Sequence, residues 1–380
     1  MKKKRVLILF GGYSSEYEVS LQSAYSVIVN MNSDKYETIL IGITREGKWV
    51  RYYGDIAKIP TNTWYKNEEY CIPVVISPDR DTHKVIEFSD KYDKDKHIKI
   101  QSNENIEVKC IKNSHIKEGF VKETEFDIAF PIFHGKNGED GTVQGLLELA
   151  GIPFVGCDTL SSALCMDKDK AHKLVEQAGI KTPASFAFSM PYKLNEIIEQ
   201  ARHISYPLFV KPVKAGSSFG ITKVFEEEKL QEAVENAFLY DDQVIIEENI
   251  DGFEVGCAVL GNDELIIGEV DEIELMVEGG FFDYVEKYNL ISSKIHMPAR
   301  IDRETTMRIK ETAAIIYRTL GCRGFARVDM FLTSCKEIVF NEVNTIPGFT
   351  SHSRYPNMMK GIGLQFADII DKLIQLGLEK

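Results

Sequence analysis

Residues 323–356 constrain the fold and the chemistry of this 380-residue chain more than any other stretch. Two short runs rich in β-branched and aromatic residues, 325–332 and 338–343, flank a polar turn at 333–336, which predicts a β-hairpin. Because side chains alternate along a strand, one face of this hairpin is expected to carry four polar groups. They are Arg327, Asp329, Glu342 and Asn344.

These four groups match the requirements of a metal-bound nucleotide. Magnesium prefers oxygen ligands, takes one or two carboxylates from a protein, and completes its shell with water and phosphates. Asp329, Glu342 and Asn344 supply such oxygens, and Arg327 could neutralise a transferred phosphoryl group or an oxyanion. The alternative is a polar sheet face with paired surface charges. The glycine-containing loop and the TSHSR segment that follow favour a functional site.

Composition excludes several classes of protein. The 45 Lys and Arg residues against 58 Asp and Glu residues give a net charge of −13, which argues against a nucleic-acid partner. The seven cysteines lack CxxC or His-paired spacing, which predicts buried thiols in a reducing compartment. The first apolar run stops at Gly11, too short for a signal peptide, and no segment has the length of a membrane span. We therefore expect a cytoplasmic protein without a membrane partner.

The N-terminal region has the pattern of an α/β nucleotide-type fold. An apolar run at 6–10, two glycines and a helical pattern at 19–29 predict a strand, a tight turn and a helix. The spacing is not GxGxxG, so dinucleotide binding is poorly supported. Glu16 near the helix start is expected from its position to be a first-turn helix acid, with a ligand for a substrate ammonium as the alternative.

A second glycine-rich segment, HGKNGEDGT, follows a predicted strand at 126–133 and precedes a predicted helix at 143–150. Such a loop brings backbone amides close to a ligand. His134 could contact an acid or a phosphate there, or could be a structural hydrogen-bond partner. A further strand is expected at 151–155 and a single helix from 158 to 178, on which Lys168 is the candidate for ligand contact.

The segment KPVKAGSSFG places Lys211 at the end of a predicted strand, before a loop of small residues. Amides and hydroxyls of such a loop can close over phosphates, with the lysine as a point charge. It is not a P-loop, because the lysine precedes the glycines, and an ordinary hairpin turn is the alternative. An acidic segment around 247–254 could meet an adenine and a ribose, and the glycine- and aromatic-rich stretch after it predicts a lid loop.

Five motifs together resemble the D-alanine–D-alanine ligase family of ATP-grasp enzymes: HGKNGEDGT, KPVKAGSSFG, FFDYVEKY, GFARVDMF and FNEVNTIPGFTSHSRYP. The likeness covers nearly the whole chain except residues 79–120, where an exposed β ribbon or a mobile insertion is expected. It implies an α/β ATP-grasp fold with a Rossmann-like pre-ATP-grasp domain at 1–157. Central and C-terminal ATP-grasp subdomains would follow at 158–249 and 250–380, with a lid loop at about 278–297.

The family's reaction implies that ATP phosphorylates the carboxylate of a first D-alanine, and that the amine of a second D-amino acid then displaces phosphate. By this resemblance, residues that contact ATP are Lys168, Lys211, Ser217, Glu247, Asn249, Ile250, Glu254 and Lys287. The metal ligands, for two Mg2+ ions or Mn2+ in their place, are Asp329, Glu342 and Asn344. The resemblance also implies a homodimer through the N-terminal domain.

The same resemblance assigns the amino-acid subsites. Arg327 and the amide of Gly348 would form the oxyanion site. For the first D-alanine, Glu16 would bind the ammonium and His134 would lie near the carboxylate. Ser353 would bind the carboxylate of the second D-amino acid. Ser217 and Tyr288 would link Glu16 to the lid.

Arg354 departs from the family pattern, in which an apolar residue typically follows the SHS motif. A guanidinium there could hydrogen-bond a hydroxyl, which favours D-serine as the second substrate, as in the D-alanine–D-serine ligases of vancomycin resistance. The segments GFFDYVEKY, SSALCMDKD and SHSRYPNMMKGIGL are most similar to the VanG type, and the lid lacks the histidine of lactate ligases. The alternative for Arg354 is a salt-bridge arginine beside an alanine pocket, which would indicate a housekeeping ligase. The alternative functions for the whole chain are another ATP-grasp ligase or a nucleotide-binding regulator.

Overall fold

The computed structural model describes residues 2–89, 109–110, 120–216, 219–276 and 293–379. Within these ranges the chain forms three β-sheets with helices packed against them. Three residues with predicted roles lie outside the described residues: Ser217, Lys287 and Tyr288. Most of the predicted lid and much of the predicted insertion lie outside them as well.

Eight strands form the first sheet: β1 (Lys4–Gly11), β2 (Tyr36–Ile43), β3 (Trp49–Tyr52), β4 (Cys71–Ile76), β5 (Lys84–Ser89), β6 (Lys109–Cys110), β7 (Phe120–Glu125) and β8 (Ile128–Ile132). Their order is β6-β7-β5-β4-β3-β2-β1-β8. Only β1 with β2 and β1 with β8 are parallel among these pairs, and the others are antiparallel. The expected nucleotide-type opening is therefore present as a parallel core with an antiparallel extension.

Helices cover both faces of β1, which explains its uninterrupted apolar run. Val6, Ile8 and Phe10 pack on the side of α1 (Tyr17–Asn30) and of the closing helix Phe366–Leu378. Leu7 and Leu9 pack on the opposite side, together with residues of α2 (Thr142–Leu149). The C-terminal ends of β1 and β8 thus open onto the loops that contain Glu16 and His134.

Two sequence predictions for the next segment are wrong. The strand expected at 151–155 is reduced to one isolated bridge between Ala129 and Phe154. The single helix expected at 158–178 is broken at Asp167 into α3 (Thr159–Met166) and α4 (Lys168–Gln177). The Asp167 carboxylate accepts a hydrogen bond of 3.0 Å from the amide of Lys170, so this residue acts as the N-cap of α4.

The second sheet is a four-stranded antiparallel layer. Its strands are β9 (Ser185–Ser189), β10 (Leu208–Pro212), β11 (Thr222–Val224) and β12 (Gln243–Glu248), in the order β11-β10-β12-β9. The amphipathic helices α5 (Leu194–Ile204) and α6 (Leu230–Ala237) bury their apolar sides against it. Lys211 lies on β10 and Glu247 on the neighbouring β12.

The third sheet is antiparallel and has five strands in the order β15-β14-β13-β16-β17. They are β13 (Gly252–Gly261), β14 (Leu265–Leu275), β15 (Ser293–His296), β16 (Phe325–Thr333) and β17 (Ile338–Asn344). Val255, Cys257 and Val259 of β13 pack in the core that contains α7 (Arg303–Thr319). The alternate residue Ala258 packs in the core that contains α8 (Arg354–Gly361) and α9 (Phe366–Leu378).

Each of the three sheets lies within one of the three predicted domain ranges, and the exact division of the chain stays a prediction. The strands β5, β6 and β7 pair in antiparallel fashion, as a β ribbon would. Three short 3-10 turns complete the described elements: Ile56–Lys58, Glu68–Tyr70 and Glu227–Lys229. In the part of the chain that the structure describes, every helix is too short or too polar to cross a lipid bilayer.

Candidate active site

The hairpin β16–β17 has the predicted register. Arg327 pairs with Asn344 and Asp329 pairs with Glu342, with a bulge directly after Asp329. The Arg327 guanidinium donates to both oxygens of Asp329 at 2.7 and 2.8 Å, and the Asn344 amide donates to the same carboxylate at 2.9 Å. Because Asp329 is only 1% exposed, this is a buried polar cluster rather than a set of paired surface charges.

The donor set fits the predicted metal. Asp329, Glu342 and Asn344 offer two carboxylates and one amide oxygen, which is the modest protein contribution that magnesium takes when phosphates and water supply the rest. Within the described residues, no cluster of three or more His, Cys, Asp or Glu side chains forms an all-protein metal cage. The metal-binding roles of these three residues stay predictions.

A cleft of about 530 Å³ lies between the second and third sheets. It brings together seven residues with predicted ATP or metal roles: Lys168, Lys211, Glu247, Asn249, Ile250, Glu254 and Glu342. Backbone of the 249–252 turn and the apolar side chains of Phe209 and Phe331 also line it. A mixed apolar and polar cleft of this size can accept a nucleotide.

Lys211 and Glu247 form an ion pair within the cleft, and both side chains are buried. Burial alone raises the pKa of Glu247, but the ammonium of Lys211 and the nearby His172 lower it below its usual value. His172 Nδ1 lies 3.9 Å from Glu247 Oε1, and neither atom has a hydrogen-bond partner among the described residues. One side of Glu247 therefore remains available to a polar ligand.

Lys168 is the first residue of α4, and its ammonium donates to the carbonyl of Ala215 at 2.9 Å. The same nitrogen lies 4.0 Å from Glu342 Oε2. The break at Asp167 therefore places this lysine between the small-residue loop and the hairpin. Lys168 and Lys211 are thus two cations on the same cleft wall, the arrangement expected around phosphates.

A second cavity of about 270 Å³ contains Glu16. Glu16 is the N-cap residue of α1, so its carboxylate lies at the helix N-terminus as a helix acid would, although the side chain makes no capping hydrogen bond. The 5% exposed carboxylate lies between two glycine loops. A Cβ at Gly135 or Gly216 would come within 2.2 or 2.6 Å of Glu16 Oε2. These glycines are needed for the close approach of both loops to the carboxylate.

Glu139, from the HGKNGEDGT motif, lies near Glu16 and was missed by the sequence analysis. It accepts hydrogen bonds from the amides of Gly135 at 2.7 Å and Ile346 at 3.2 Å. Burial, followed by the negative charge of Glu16, raises the pKa of Glu139 to about 8. Glu139 is therefore largely protonated at neutral pH, and a positive charge placed beside it would lower its pKa.

His134 is buried, and burial lowers its pKa to about 4, so the ring is neutral at neutral pH. Its Nε2 lies 3.0 Å from Ser23 Oγ, which also accepts a hydrogen bond of 3.2 Å from the amide of Phe349. His134 therefore helps to connect α1 with the loop that follows β17. This geometry agrees with the alternative of a structural hydrogen-bond partner, next to the Glu16 cavity.

Gly348 and Ser353 lie close together at the start of α8. A Cβ at Gly348 would be 3.1 Å from Ser353 Oγ, and this hydroxyl accepts a hydrogen bond of 3.0 Å from the amide of Thr350. Ser353 is the N-cap residue of α8 but its side chain makes no capping bond to that helix. The Ser353 hydroxyl therefore bonds to Thr350 within this loop, and the oxyanion and carboxylate roles of Gly348 and Ser353 stay predictions.

The structure shows Arg354 in salt bridges, and its role in the second amino-acid subsite stays a prediction. Arg354 donates to both oxygens of Asp271, at 2.7 and 2.8 Å, and to Glu254 at 2.7 Å. Burial by itself lowers the pKa of Arg354, but Asp271, Asp329 and Glu254 raise it well above its usual value. The geometry is that of the alternative, a salt-bridge arginine.

Sequence reasoning also missed Asp271 and His172. Glu139 belongs to a motif that the sequence analysis singled out, so its position in that motif was an available signal. His172 lies one helical turn after Lys168 on α4, which was also a local signal. Asp271 is one of four acidic residues on β14 and offered none, because its partner Arg354 is 83 residues away.

Comparison with known proteins bears on the identity of this cleft. Family models described as D-ala D-ala ligase N-terminus and D-ala D-ala ligase C-terminus match residues 5–157 and 174–375. The vancomycin B-type resistance protein VanB of Enterococcus faecalis is 44% identical, with all of this chain and all of the relative covered.

Solved structures of ligases are also similar to this chain. The VanG D-Ala:D-Ser ligase from Enterococcus faecalis has a TM-score of 0.84 and 55% sequence identity, covering 99% of this chain and 100% of that chain. The D-alanine–D-alanine ligase from Bacillus anthracis, complexed with ATP, has a TM-score of 0.68 and 25% identity, covering 99% and 98%. These ligases share the ATP-grasp fold, which confirms the predicted fold class.

Proposed function

Because this chain belongs to the D-alanine–D-alanine ligase family of ATP-dependent ligases, we propose that it joins D-alanine to D-serine through a D-alanyl phosphate. The observation that carries the choice of D-serine is the 55% identity, over 99% of the chain, with a D-Ala:D-Ser ligase. The second candidate is a D-alanine–D-alanine ligase, which the two family models favour by their descriptions.

In the first step, we propose that the cleft binds ATP with its phosphates at Lys168 and Lys211. Both ammonium groups line the cleft, and the Lys211 ammonium is held by Glu247, so they are pre-positioned for anionic oxygens. Asp329, Glu342 and Asn344 would hold two Mg2+ ions, which neutralise charge on the phosphates. Asn249, Ile250 and Glu254 would hold the adenine and ribose at the other end of the cleft.

The first D-alanine would place its ammonium at Glu16. The neighbouring Glu139 adds a second carboxylate, and an ammonium between the two groups relieves their mutual repulsion. His134, neutral at the same end of the first sheet, would lie near the substrate carboxylate without adding charge. This arrangement directs the carboxylate of D-alanine towards the phosphates of the cleft.

In the second step, the amine of D-serine attacks the carbonyl carbon of D-alanyl phosphate, and phosphate leaves with the electron pair of the broken C–O bond. Negative charge develops on the carbonyl oxygen. Arg327 and the amide of Gly348 would stabilise that oxygen, and Ser353 would bind the D-serine carboxylate. The protein thus supplies orientation and charge stabilisation, while ATP supplies the leaving group.

The experiment that tests this proposal is product analysis with ATP, Mg2+ and an equimolar mixture of D-alanine and D-serine at neutral pH. Mostly D-alanyl-D-serine is expected. Mostly D-alanyl-D-alanine would replace the proposal with the second candidate, and absence of both dipeptides despite ADP formation would overturn both. A reaction without D-alanine is the control for uncoupled ATP hydrolysis.

We further propose a role in vancomycin resistance, supported by the similarity to VanB. The expected result is that expression in a susceptible cell produces peptidoglycan precursors that end in D-serine.

We also propose that the protein is a homodimer, which size-exclusion chromatography with light scattering tests directly. Precursors that still end only in D-alanine, or a monomer mass, would contradict the respective proposal.

A further inference from the structure

The loop 345–349, between β17 and α8, leaves one of its five residues accessible. Gly348 is partly exposed, whereas the residues on both sides of it are buried. Pro347 has no amide hydrogen, and the amide of Gly348 has no hydrogen-bond partner among the described residues. This amide is therefore a donor that a ligand oxygen can use, provided that the loop holds it in one direction.

Side chains from the N-terminal part of the chain hold the amides on either side of Gly348. The amide of Ile346 donates to Glu139 Oε1 at 3.2 Å, and the amide of Phe349 donates to Ser23 Oγ at 3.2 Å. These partners are 207 and 326 residues away in sequence. The direction of the Gly348 amide therefore depends on contacts with the first sheet and its helix.

The two holding groups are themselves fixed to one segment, the HGKNGEDGT motif. Glu139 Oε2 accepts a hydrogen bond of 2.7 Å from the amide of Gly135. Ser23 Oγ lies 3.0 Å from His134 Nε2, and the ring of His134 also hydrogen-bonds to the backbone of Ile346. The motif and the loop 345–349 are thus connected at three points.

We propose that Glu139 and Ser23 are positioning residues for the second step, because they direct the amide of Gly348 at the carbonyl oxygen of D-alanyl phosphate. The inference rests on the proposed function, which gives this amide its oxyanion role. Both residues act through the backbone of the loop. The turn that contains Gly135 also approaches Glu16, so the ammonium site for the first D-alanine and the direction of the oxyanion amide depend on the same segment.

Two substitutions release the loop without changing the Gly348 amide itself. Glu139→Gln keeps the size of the side chain but exchanges one acceptor oxygen for an NH2 group, so one of the two amides bound to Glu139 loses its partner. Ser23→Ala removes the acceptor of the Phe349 amide. Because Ser23 is 0% exposed, water does not readily replace the lost hydroxyl.

The measurement is a single turnover, with enzyme in excess over ATP and with both D-amino acids at saturation. ADP reports formation of the acyl phosphate, and dipeptide reports its capture by the amine, both in the same quenched samples. In both variants, dipeptide formation is expected to slow about 10- to 100-fold, as for misplaced reacting groups. ADP formation is expected to keep the rate of the unmodified protein. A purely structural defect would lower ADP and dipeptide together.

Ser20→Ala and Asp140→Asn are the matched controls. Ser20 is another fully buried serine of α1, but it accepts the amide of Gly11 at 2.8 Å instead of an amide of the loop. Asp140 lies in the HGKNGEDGT motif and accepts the amides of Asn137 and Thr142, within the same segment. Both controls should keep the ratio of the two rates. A selective loss of dipeptide in either control would indicate a general effect of α1 or of the motif, and the inference would be rejected.

The inference requires the selective loss in each of the two test variants that folds, and one folded variant is enough to decide. Unchanged rates would overturn it. A proportional loss of ADP and dipeptide would also overturn it, because Glu139 and Ser23 would then act on the first D-alanine. The proposed function is judged beforehand on the unmodified protein, which must form ADP and a dipeptide. Whichever dipeptide it forms is the one measured in the variants, so the two failures are distinguishable.

Discussion

Arg327 and Arg354 are two buried arginines on the same sheet face. They differ in how far along the chain their carboxylate partners lie. Arg327 lies on β16 and contacts Asp329, two residues further along the same strand. Arg354 begins α8 and contacts Asp271, which is 83 residues away in sequence. The first contact follows from the alternation of a strand, whereas the second exists only after α8 has packed on β13 and β14. The sequence thus predicted the carboxylate partner of Arg327 but not that of Arg354.

The strongest way to break this comparison is Arg354→Leu. Removing the guanidinium leaves Asp271 and Glu254 as buried carboxylates without it, which is expected to lower the free energy of unfolding by ~3–5 kcal/mol. Denaturant unfolding measures the change. Adding Asp271→Leu to this variant should recover part of the loss, because the unpaired carboxylate is then absent. Equal stability of Arg354→Leu and the unmodified protein would mean that the salt bridges contribute nothing.

Arg327→Met should affect catalysis. Loss of the proposed oxyanion contact is expected to reduce kcat by ~10²- to 10³-fold, measured as dipeptide formed with saturating substrates. Arg202→Met, which removes an exposed arginine paired with Glu227, is the control and should retain full activity. A kcat for Arg327→Met close to that of the control would exclude Arg327 from the oxyanion site.

His134, a buried histidine close to Arg327, extends the comparison through its dependence on pH. Burial depresses its pKa to about 4 in the folded protein, while the unfolded chain takes up this proton below about pH 6.5. The unfolded state therefore binds more protons between these values, and stability should fall by about 2 kcal/mol from pH 7 to pH 5. His134→Gln should remove that part of the pH dependence. The same substitution at the exposed His203 is the control. If the free energy of unfolding of His134→Gln depended on pH as in the unmodified protein, the lowered pKa would not belong to His134.

The smallest effect is expected at Lys35, which forms an ion pair of 2.6 Å with Asp371 between β2 and α9. The Lys35 side chain is 54% exposed, so water screens the attraction. Lys35→Ala should change the free energy of unfolding by less than about 1 kcal/mol in a denaturant titration. A loss comparable to that of Arg354→Leu would show that burial does not separate the two kinds of ion pair.

Local patterns predicted the elements well where one rule dominated. The β16–β17 hairpin and the helices α1 and α2 lie where strand alternation and helical periodicity placed them. The predicted helix at 158–178 failed because Asp167 caps a new helix instead of continuing the first. The strand predicted at 151–155 failed because an apolar run alone does not show whether a neighbouring strand is available to pair with it.

The residues of the candidate site also divide into those that local patterns predicted and those that they did not. Lys168, Lys211, Glu247 and Glu342 of the hairpin line one cleft. Local patterns predicted the strands that carry Lys211, Glu247 and Glu342, whereas the helix start that positions Lys168 was not predicted. Glu139 could be suspected from its motif, but its raised pKa depends on burial and on the distance to Glu16. Predictions for Ser217, Lys287 and Tyr288 concern residues outside the described part of the chain and stay predictions.

The sequence by itself determined the family, the order of the elements and the period-two face of β16 and β17, because these depend on neighbours along the chain. Tertiary structure alone decided which carboxylates Lys211 and Arg354 meet. Asp271 became the partner of Arg354 because the glycine at 256 leaves space over β13 and because burial requires paired charges. Contacts between distant segments are set by packing, and no local pattern contains that information.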